Sequence, residues 1–247
     1  MASKKVRVIR SVINPRVSVI IPTLNEEKYI ERCLFSLRDQ DFDCPYEIII
    51  VDSASEDDTI KIAEKYADKI IVIKEKGAGL ARNVGAREAK SEILIFLDAD
   101  TFVLKNFLKA ITKPFEDKDV IAATCPCLVD SYQQIFPFFV ANFLNKQLAK
   151  VKKCFFPAII TAIRKNVFIK VGGYPNIWPS EDVEFSLKLQ KLNGKFAYVT
   201  DTYVIASSRR SKKYGAFGTL KCFRKWFLSY FIDRKLFGKT VKYENIR

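Results

Sequence analysis

The chain of 247 residues contains no histidine. That removes the side chain that most often serves as general base and metal ligand near neutral pH, so such chemistry falls to carboxylates. No apolar run reaches the ~18 residues that a membrane-crossing helix needs. The longest candidate, Ile135 to Leu144, is interrupted by Pro137 and Asn142. The first 16 residues are basic and lack an apolar core, so no signal peptide is expected. The six cysteines include no Cys-x-x-Cys pair and show no regular disulfide spacing. Cys125-Pro126-Cys127, with no second pair, reads as buried free thiols of a reducing compartment. There is no internal repeat and no linker before about residue 207. With 49% apolar and 28% charged residues the composition is that of a globular protein.

What the chain has in excess is positive charge, +14 overall. Most of it lies late: from Arg209 to Arg247 there are 12 Lys or Arg against two acids, Asp233 and Glu244. Nine aromatic residues interleave with these cations. Phe217, Leu220, Phe223, Phe227, Tyr230 and Phe231 share one helical face, which suits a helix lying on an anionic membrane. A helix packed on the body with a solvated basic face has the same pattern. Single-stranded nucleic acid also selects such interleaving, but the body of the chain points elsewhere and no nucleic acid partner is expected.

The body opens, after a basic and loosely structured lead-in (1–16), with four apolar runs separated by helical patterns. Val17–Ile21 ends at Pro22 and leads into a helix through about Arg38, with Thr23 or Asn25 as its cap. Glu47–Val51 stops on Asp52, and a polar turn then precedes a helix from Thr59 to Ala67. Ile70–Ile73 is followed by Gly77-Ala78-Gly79 and a helix from Leu80 to Lys90. Ile93–Leu97, five apolar residues in a row, runs into Asp98-Ala99-Asp100. Alternating strands and helices over about 85 residues form a doubly wound, mostly parallel α/β sheet. Ligands of such sheets bind beyond the carboxyl ends of the strands, so Asp52, Asp98 and Asp100 share one rim.

Two carboxylates one residue apart repel each other unless a cation lies between them. A divalent ion held by so few carboxylates takes its other ligands from phosphate oxygens and water. Asp52 suits a carboxylate that accepts hydrogen bonds from a base or ribose, while Ser55 or Asp57 would cap the following helix. Gly79 and Arg82 at a helix start suit a diphosphate, or simply a loop with a capped helix. Glu181-Asp182, behind the Gly172-Gly173 turn, offers a carboxylate in the first turn of a helix, where acids also complement the macrodipole. The run Leu97-Asp98-Ala99-Asp100-Thr101-Phe102-Val103 is also close to the opening signature of haloacid-dehalogenase-type phosphatases. In those proteins the signature usually lies on the first strand, and here three strands precede it.

In order along the chain, Pro22-Thr23-Leu24-Asn25-Glu26, Val51-Asp52-Ser53-Ala54-Ser55 with Asp57 and Thr59, Gly79-Leu80-Ala81-Arg82-Asn83, Phe96-Leu97-Asp98-Ala99-Asp100, Gly172-Gly173-Tyr174 and Glu181-Asp182 resemble family 2 glycosyltransferases. The resemblance covers roughly residues 17 to 205. It implies a GT-A fold, a UDP- or GDP-linked sugar donor, a divalent cation (Mn²⁺ or Mg²⁺) and inversion at the anomeric carbon. Pro22, Thr23, Asn25, Glu26, Asp52, Ser53, Ser55, Gly79, Arg82 and Asp98 would then line the nucleotide site. Asp100, with Asp98, would meet the metal, and Asp182, with Glu181 beside it, would be the catalytic base. Gly172, Gly173, Arg209 and Arg210 would face the acceptor or the diphosphate.

Two positions depart from the pattern: the acid that usually follows Asp52 is Ser53, and the histidine usual near the domain end is replaced by the stretch Ala206 to Arg210. Arg209 and Arg210 supply charge there instead. The expected organisation is a lead-in (1–16), a GT-A domain (17–207, with halves 17–103 and 104–207) and a basic aromatic tail (208–247). The expected enzyme works at the cytoplasmic face of the membrane on a lipid-linked or envelope glycan. A non-catalytic nucleotide-sugar binder and a basic peripheral membrane or nucleic-acid binder are the alternatives.

Overall fold

A computed structural model describes residues 4–175, 181–209, 215, 217–219 and 221. Its strands in chain order are β1 (Lys4–Val8), β2 (Val17–Thr23), β3 (Tyr46–Asp52), β4 (Lys69–Ile73), β5 (Ile93–Leu97), β6 (Thr101–Val103), β7 (Val120–Thr124), β8 (Cys127–Val129), β9 (Ile160–Arg164), β10 (Lys195–Tyr198) and β11 (Val204–Ala206). The helices are α1 (Ile30–Arg38), α2 (Thr59–Ala63), α3 (Ala78–Glu88), α4 (Phe107–Thr112), α5 (Ile135–Lys150), α6 (Lys165–Lys170) and α7 (Glu181–Leu189).

Eight strands form one sheet in the order β1-β4-β3-β2-β5-β9-β7-β10. Its centre, β4-β3-β2-β5, is parallel, and β9 runs antiparallel between β5 and β7. Successive strand residues point to opposite faces. Val19, Ile21, Ile48, Ile50 and Ile95 therefore pack with α1 (Ile30, Leu34, Leu37) on one side. Ile20, Ile49, Val51, Leu94 and Phe96 pack with α3 (Ala81, Val84) on the other. Both faces of β2, β3 and β5 are covered, which is why these strands read as continuous apolar runs. Helix α3 lies so close to β2 that a Cβ on Gly85 would fall 2.4 Å from Ile20 Cγ2. The GT-A architecture expected from the sequence is present.

Three local expectations are corrected. The lead-in contains β1, exposed along its whole length, which pairs antiparallel with β4 from Lys4–Ile73 to Val8–Lys69. Its only alternation, Lys5-Val6-Arg7-Val8, is too short to announce it, and backbone pairing with an open edge makes the strand. Pro22 does not end β2, which continues to Thr23 in register with Asp52. Pairing of β2 with β5 stops at Ile20–Phe96, so the missing N–H at Pro22 breaks no bond on that side. Helix α1 begins at Ile30 and not at Thr23 or Asn25. Asn25 has φ +54°, a left-handed backbone that no right-handed helix accepts.

Among the described cysteines, Cys33, Cys125, Cys127 and Cys154 are buried and all are free. Burial pushes the thiols of Cys33, Cys125 and Cys154 well up, so they stay protonated and inert. No described helix is long and apolar enough to cross a membrane. Almost all of the basic tail lies outside the described residues.

Candidate active site

The rim of the parallel sheet is built by loops that hold one another. Asp52, fully buried at the end of β3, accepts hydrogen bonds from Thr23 Oγ1 (2.7 Å) and from Ser55 N (2.7 Å) and Oγ (2.6 Å). Ser55 Oγ in turn accepts from Asn25 N (2.8 Å), and Asn25 Oδ1 accepts from Glu56 N (2.9 Å). Glu26 N donates to Thr59 Oγ1 (2.7 Å). These bonds draw residues 24–27 across onto the β3–α2 turn, the physical reason that α1 starts late. Asp57 Oδ1 accepts from Thr59 N (3.0 Å) and caps the turn into α2. Ser53 is buried, and its N–H extends the β2–β3 pairing to Thr23 O (2.9 Å).

Arg82, in the first turns of α3, is only 2% exposed. Its guanidinium reaches Asp98 Oδ1 (2.6 Å) and Glu181 Oε1 (3.3 Å) and lies 5.4 Å over the Tyr174 ring. Although burial alone would lower its pKa, the carboxylates of Asp98 and Glu181 and the neighbouring Tyr174 raise it. One arginine thus ties the end of β5 to the start of α7. Asn83, beside it, brackets Tyr174 by accepting from its N–H (2.9 Å) and donating to its carbonyl (2.8 Å).

The turn that carries Tyr174 requires glycine. Gly173 has φ +65°, and a Cβ there would sit 2.5 Å from Asn83 Oδ1. Gly172, also at positive φ, is exposed with open space around it. Gly79 packs against this same turn, with a hypothetical Cβ 3.3 Å from Pro175 O. The structure therefore joins Gly79, Arg82, Asn83, Gly173, Tyr174 and Glu181 in one packed seam.

Asp182 is the next residue along α7. Its Oδ1 accepts from Val183 N (2.9 Å), and Oδ2 has a long contact with Ala158 N (3.5 Å). Burial of the carboxyl, and after it the charge of Glu181, pushes its pKa up to about 7. That suits a base exchanging a proton near neutral pH. Ser186, one turn on, accepts from Phe156 N (2.9 Å) and donates to Asp182 O (2.7 Å), which holds α7 against the segment before β9.

Asp100 is reached by a different route. Strand β11 pairs antiparallel with β6, and Ser207 N donates to Asp100 O (3.0 Å). Two residues later Arg209 binds Glu26 with both terminal nitrogens (2.8 and 2.6 Å) and places Nε 3.1 Å from Asp100 Oδ2. Its guanidinium lies 4.8 Å over the Tyr29 ring. Arg209 thus bridges an acid of the β2–α1 loop and an acid beyond β5. Arg210 and the tail beyond it lie outside the described residues, apart from a few isolated positions.

The donors at the rim fit a hard divalent cation in kind, because Asp98 and Asp100 offer only oxygen. Their number is small: no cluster of three or more His, Cys, Asp or Glu suited to a metal occurs among the described residues. A cation here would take most of its ligands from a bound diphosphate and water.

Tyr29, Ser186 and Asn83 join the site only in the folded chain. Only Asn83 carried a signal, as the residue after Arg82 in its motif. Tyr29 and Ser186 gain their roles from partners far away in the chain.

A mostly parallel sheet with acids on its rim and an antiparallel β9 beside β5 has the architecture of GT-A glycosyltransferases. Residues 18–172 match Glycosyl transferase family 2, and the chain belongs to that family. Poly(ribitol-phosphate) beta-N-acetylglucosaminyltransferase TarS of Staphylococcus aureus is 40% identical over 101 residues, 38% of this chain and 18% of TarS. The chain therefore spans a minor part of that relative. O-antigen chain rhamnosyltransferase WbaN of Salmonella anatum is 30% identical over 216 residues, 81% of this chain and 67% of WbaN. Among solved structures, mannosyltransferase PcManGT of Pyrobaculum calidifontis in complex with GDP-Man and Mn²⁺ superposes with a TM-score of 0.72 at 21% identity, over 98% of this chain and 69% of that one. TarS 1–349 in complex with UDP-GlcNAc gives 0.65 at 24% identity, over 79% and 59%. At these identities the likeness to the solved structures is one of fold.

Proposed function

We propose that the chain transfers a sugar, with inversion, from a nucleotide-diphosphate sugar to a hydroxyl of a lipid-linked or cell-envelope glycan. The observation that carries this reading is the pairing of two environments. Strand-end acids of a nucleotide-type sheet are joined through Arg82 to α7, where a desolvated carboxylate is held near neutral pKa. The names of TarS and WbaN and the nucleotide sugars bound by the structural neighbours support the substrate class.

Thr23, Asn25, Glu26, Asp52, Ser53 and Ser55 form the nucleoside side of the cleft, with Pro22 at its floor. Arg82 orients Asp98 toward the ribose and Glu181 alongside the base. The acceptor hydroxyl oxygen forms a bond to the anomeric carbon as the bond from that carbon to the diphosphate oxygen breaks. Asp182 takes the hydroxyl proton, and the nucleoside diphosphate leaves with the electron pair. Asp100, with Asp98 beside it, would hold Mn²⁺ or Mg²⁺, which supplies positive charge to the leaving diphosphate. Arg209 contributes a second cation at the same acid. Gly172, at the exposed tip of its turn, borders the acceptor side, and work at the inner face of the membrane belongs to the same reading.

The test is a thermal-shift screen of UDP- and GDP-sugars with and without Mn²⁺, since a ligand of the native state raises stability. A donor that stabilises the protein is then followed for transfer or hydrolysis. Asp100→Ala should remove the metal-dependent part of binding. Asp182→Asn should keep binding and lose turnover. If no UDP or GDP compound shifts the transition with either metal, the reading fails.

A further inference from the structure

From Ser131 to Ser180 the chain carries no Asp or Glu, while seven Lys or Arg occur (Lys146, Lys150, Lys152, Lys153, Arg164, Lys165 and Lys170). Helix α5 lies within this acid-free stretch. At 3.6 residues per turn, Phe136, Phe139, Phe143, Lys146 and Lys150 fall within an arc of about 80° on one face. The three rings are exposed, at 65%, 63% and 54%, and both lysines are exposed as well. Tyr132, just before the helix, is 94% exposed. A soluble helix ordinarily turns its aromatic stripe inward, and this one leaves a stripe of three rings outside.

Polar anchors on other faces of the helix fix it to the body. Asn142 donates to Cys127 O (2.7 Å) and accepts from Cys127 N (3.1 Å), while Asn145 donates to Phe155 O (2.9 Å) and accepts from Phe155 N (2.7 Å). The stripe is thereby held facing away from the domain.

We infer that this face of α5 is a docking surface for an anionic lipid bilayer, with the rings of Phe136, Phe139 and Phe143 set among the headgroups and Lys146 and Lys150 paired with lipid phosphates. An amphipathic helix on a membrane carries this combination of aromatic rings and lysines. The acid-free flanks choose the occupant. An anionic surface complements them, whereas a second copy would present rings and cations and no acid from the same stripe.

The docked helix is coupled to the site already described. Asn145 clamps Phe155, and the adjacent Phe156 N–H is held by Ser186 Oγ, one turn from Asp182. Resting on the sugar-transfer reading, this assigns α5 to bringing the acceptor side of the cleft to a lipid-borne acceptor.

The experiment is flotation of the full chain with phosphatidylglycerol-containing and pure phosphatidylcholine vesicles, alongside hydrogen exchange over residues 135–150. Wild type should float with the anionic vesicles only, and exchange in α5 should slow. Phe136→Ser/Phe139→Ser/Phe143→Ser should weaken partitioning about a hundredfold, and Lys146→Gln/Lys150→Gln about thirtyfold. Both variants should keep the wild-type circular dichroism spectrum and a cooperative melting transition, which shows that they fold. Unchanged affinity in the aromatic variant with unchanged exchange in α5 overturns the inference, even if the tail binds membrane by itself. So does a wild-type dimer that the aromatic variant dissolves and that ignores vesicles. Vesicle binding as described without any nucleotide response would sink the sugar-transfer reading and leave this one standing.

Discussion

At the end of β3, Asp52 accepts three hydrogen bonds from Thr23 and Ser55 and is fully enclosed. At the start of α7, Asp182 is half-buried, with one good hydrogen bond from its own helix and a long contact to Ala158 N. The first arrangement makes a carboxylate part of the architecture, tying the ends of β2 and β3 to the turn before α2. The second withholds solvation and adds the charge of Glu181, which favours the neutral form and lifts the pKa to about 7. The end of β3 thus holds a carboxylate with several donors, while the start of α7 holds one with few. Arg82 lies between the two, its terminal nitrogens on Asp98 and Glu181.

The comparison breaks most sharply at Asp182. Asp182→Asn should lower transfer by about 10²–10⁴-fold, the usual worth of a positioned base, with nucleotide affinity unchanged in a thermal-shift titration. If turnover persists, Asp182 is not the base.

Next in size is Arg82→Met, which leaves Asp98 and Glu181 without their shared cation in a buried site. A loss of about 3–5 kcal/mol is expected, read as a fall of about 10 °C in the calorimetric midpoint.

The pH dependence sharpens the same contrast. Turnover should rise as pH climbs through about 7, where Asp182 becomes the carboxylate. Stability should run the opposite way. The folded pKa lies above the unfolded value of about 3.9, so the folded state holds a proton that the unfolded state has lost between those limits. The contribution of this group to stability is therefore complete below about pH 4 and is lost as pH rises through about 7. Asp182→Asn should raise the melting temperature at pH 8 relative to wild type, with the gain shrinking toward pH 4. A gain that grows at low pH would contradict the assignment.

Gly173→Ala tests the seam between the two halves. A side chain at φ +65°, set against Asn83 Oδ1, should cost about 1–3 kcal/mol. Slower exchange protection of the Tyr174 amide should be lost with it. Smallest is Arg7→Ala on β1. Its ion pair with Glu64 is exposed, and a change within about 0.5 kcal/mol is expected by denaturant melting.

Much of the fold was legible because strands covered on both faces must be apolar throughout. Val17–Ile21, Glu47–Val51, Ile70–Ile73 and Ile93–Leu97 announced the parallel core in this way. The strands β6, β8 and β11, three residues each, carry too little pattern to be read locally. Strand β1 carries only Val6 and Val8 among cations, and both valines lie exposed. The start of α1 was misplaced because Asn25 and Glu26 resemble a helix entry in isolation, while their amides are drawn to Ser55 and Thr59 across the sheet.

The sequence by itself determined the parallel α/β core, the acids at the strand ends and the motif order that marks a family 2 glycosyltransferase, because each rests on local periodicity and short spacing. Only the tertiary structure decided which charges meet. Arg82 lies 16 residues from Asp98 and 99 from Glu181, and Arg209 lies 183 from Glu26. No local rule brings such pairs together. The packing of α3 against the glycine turn, and of β11 against β6, does so, and the same packing leaves Asp182 poorly solvated.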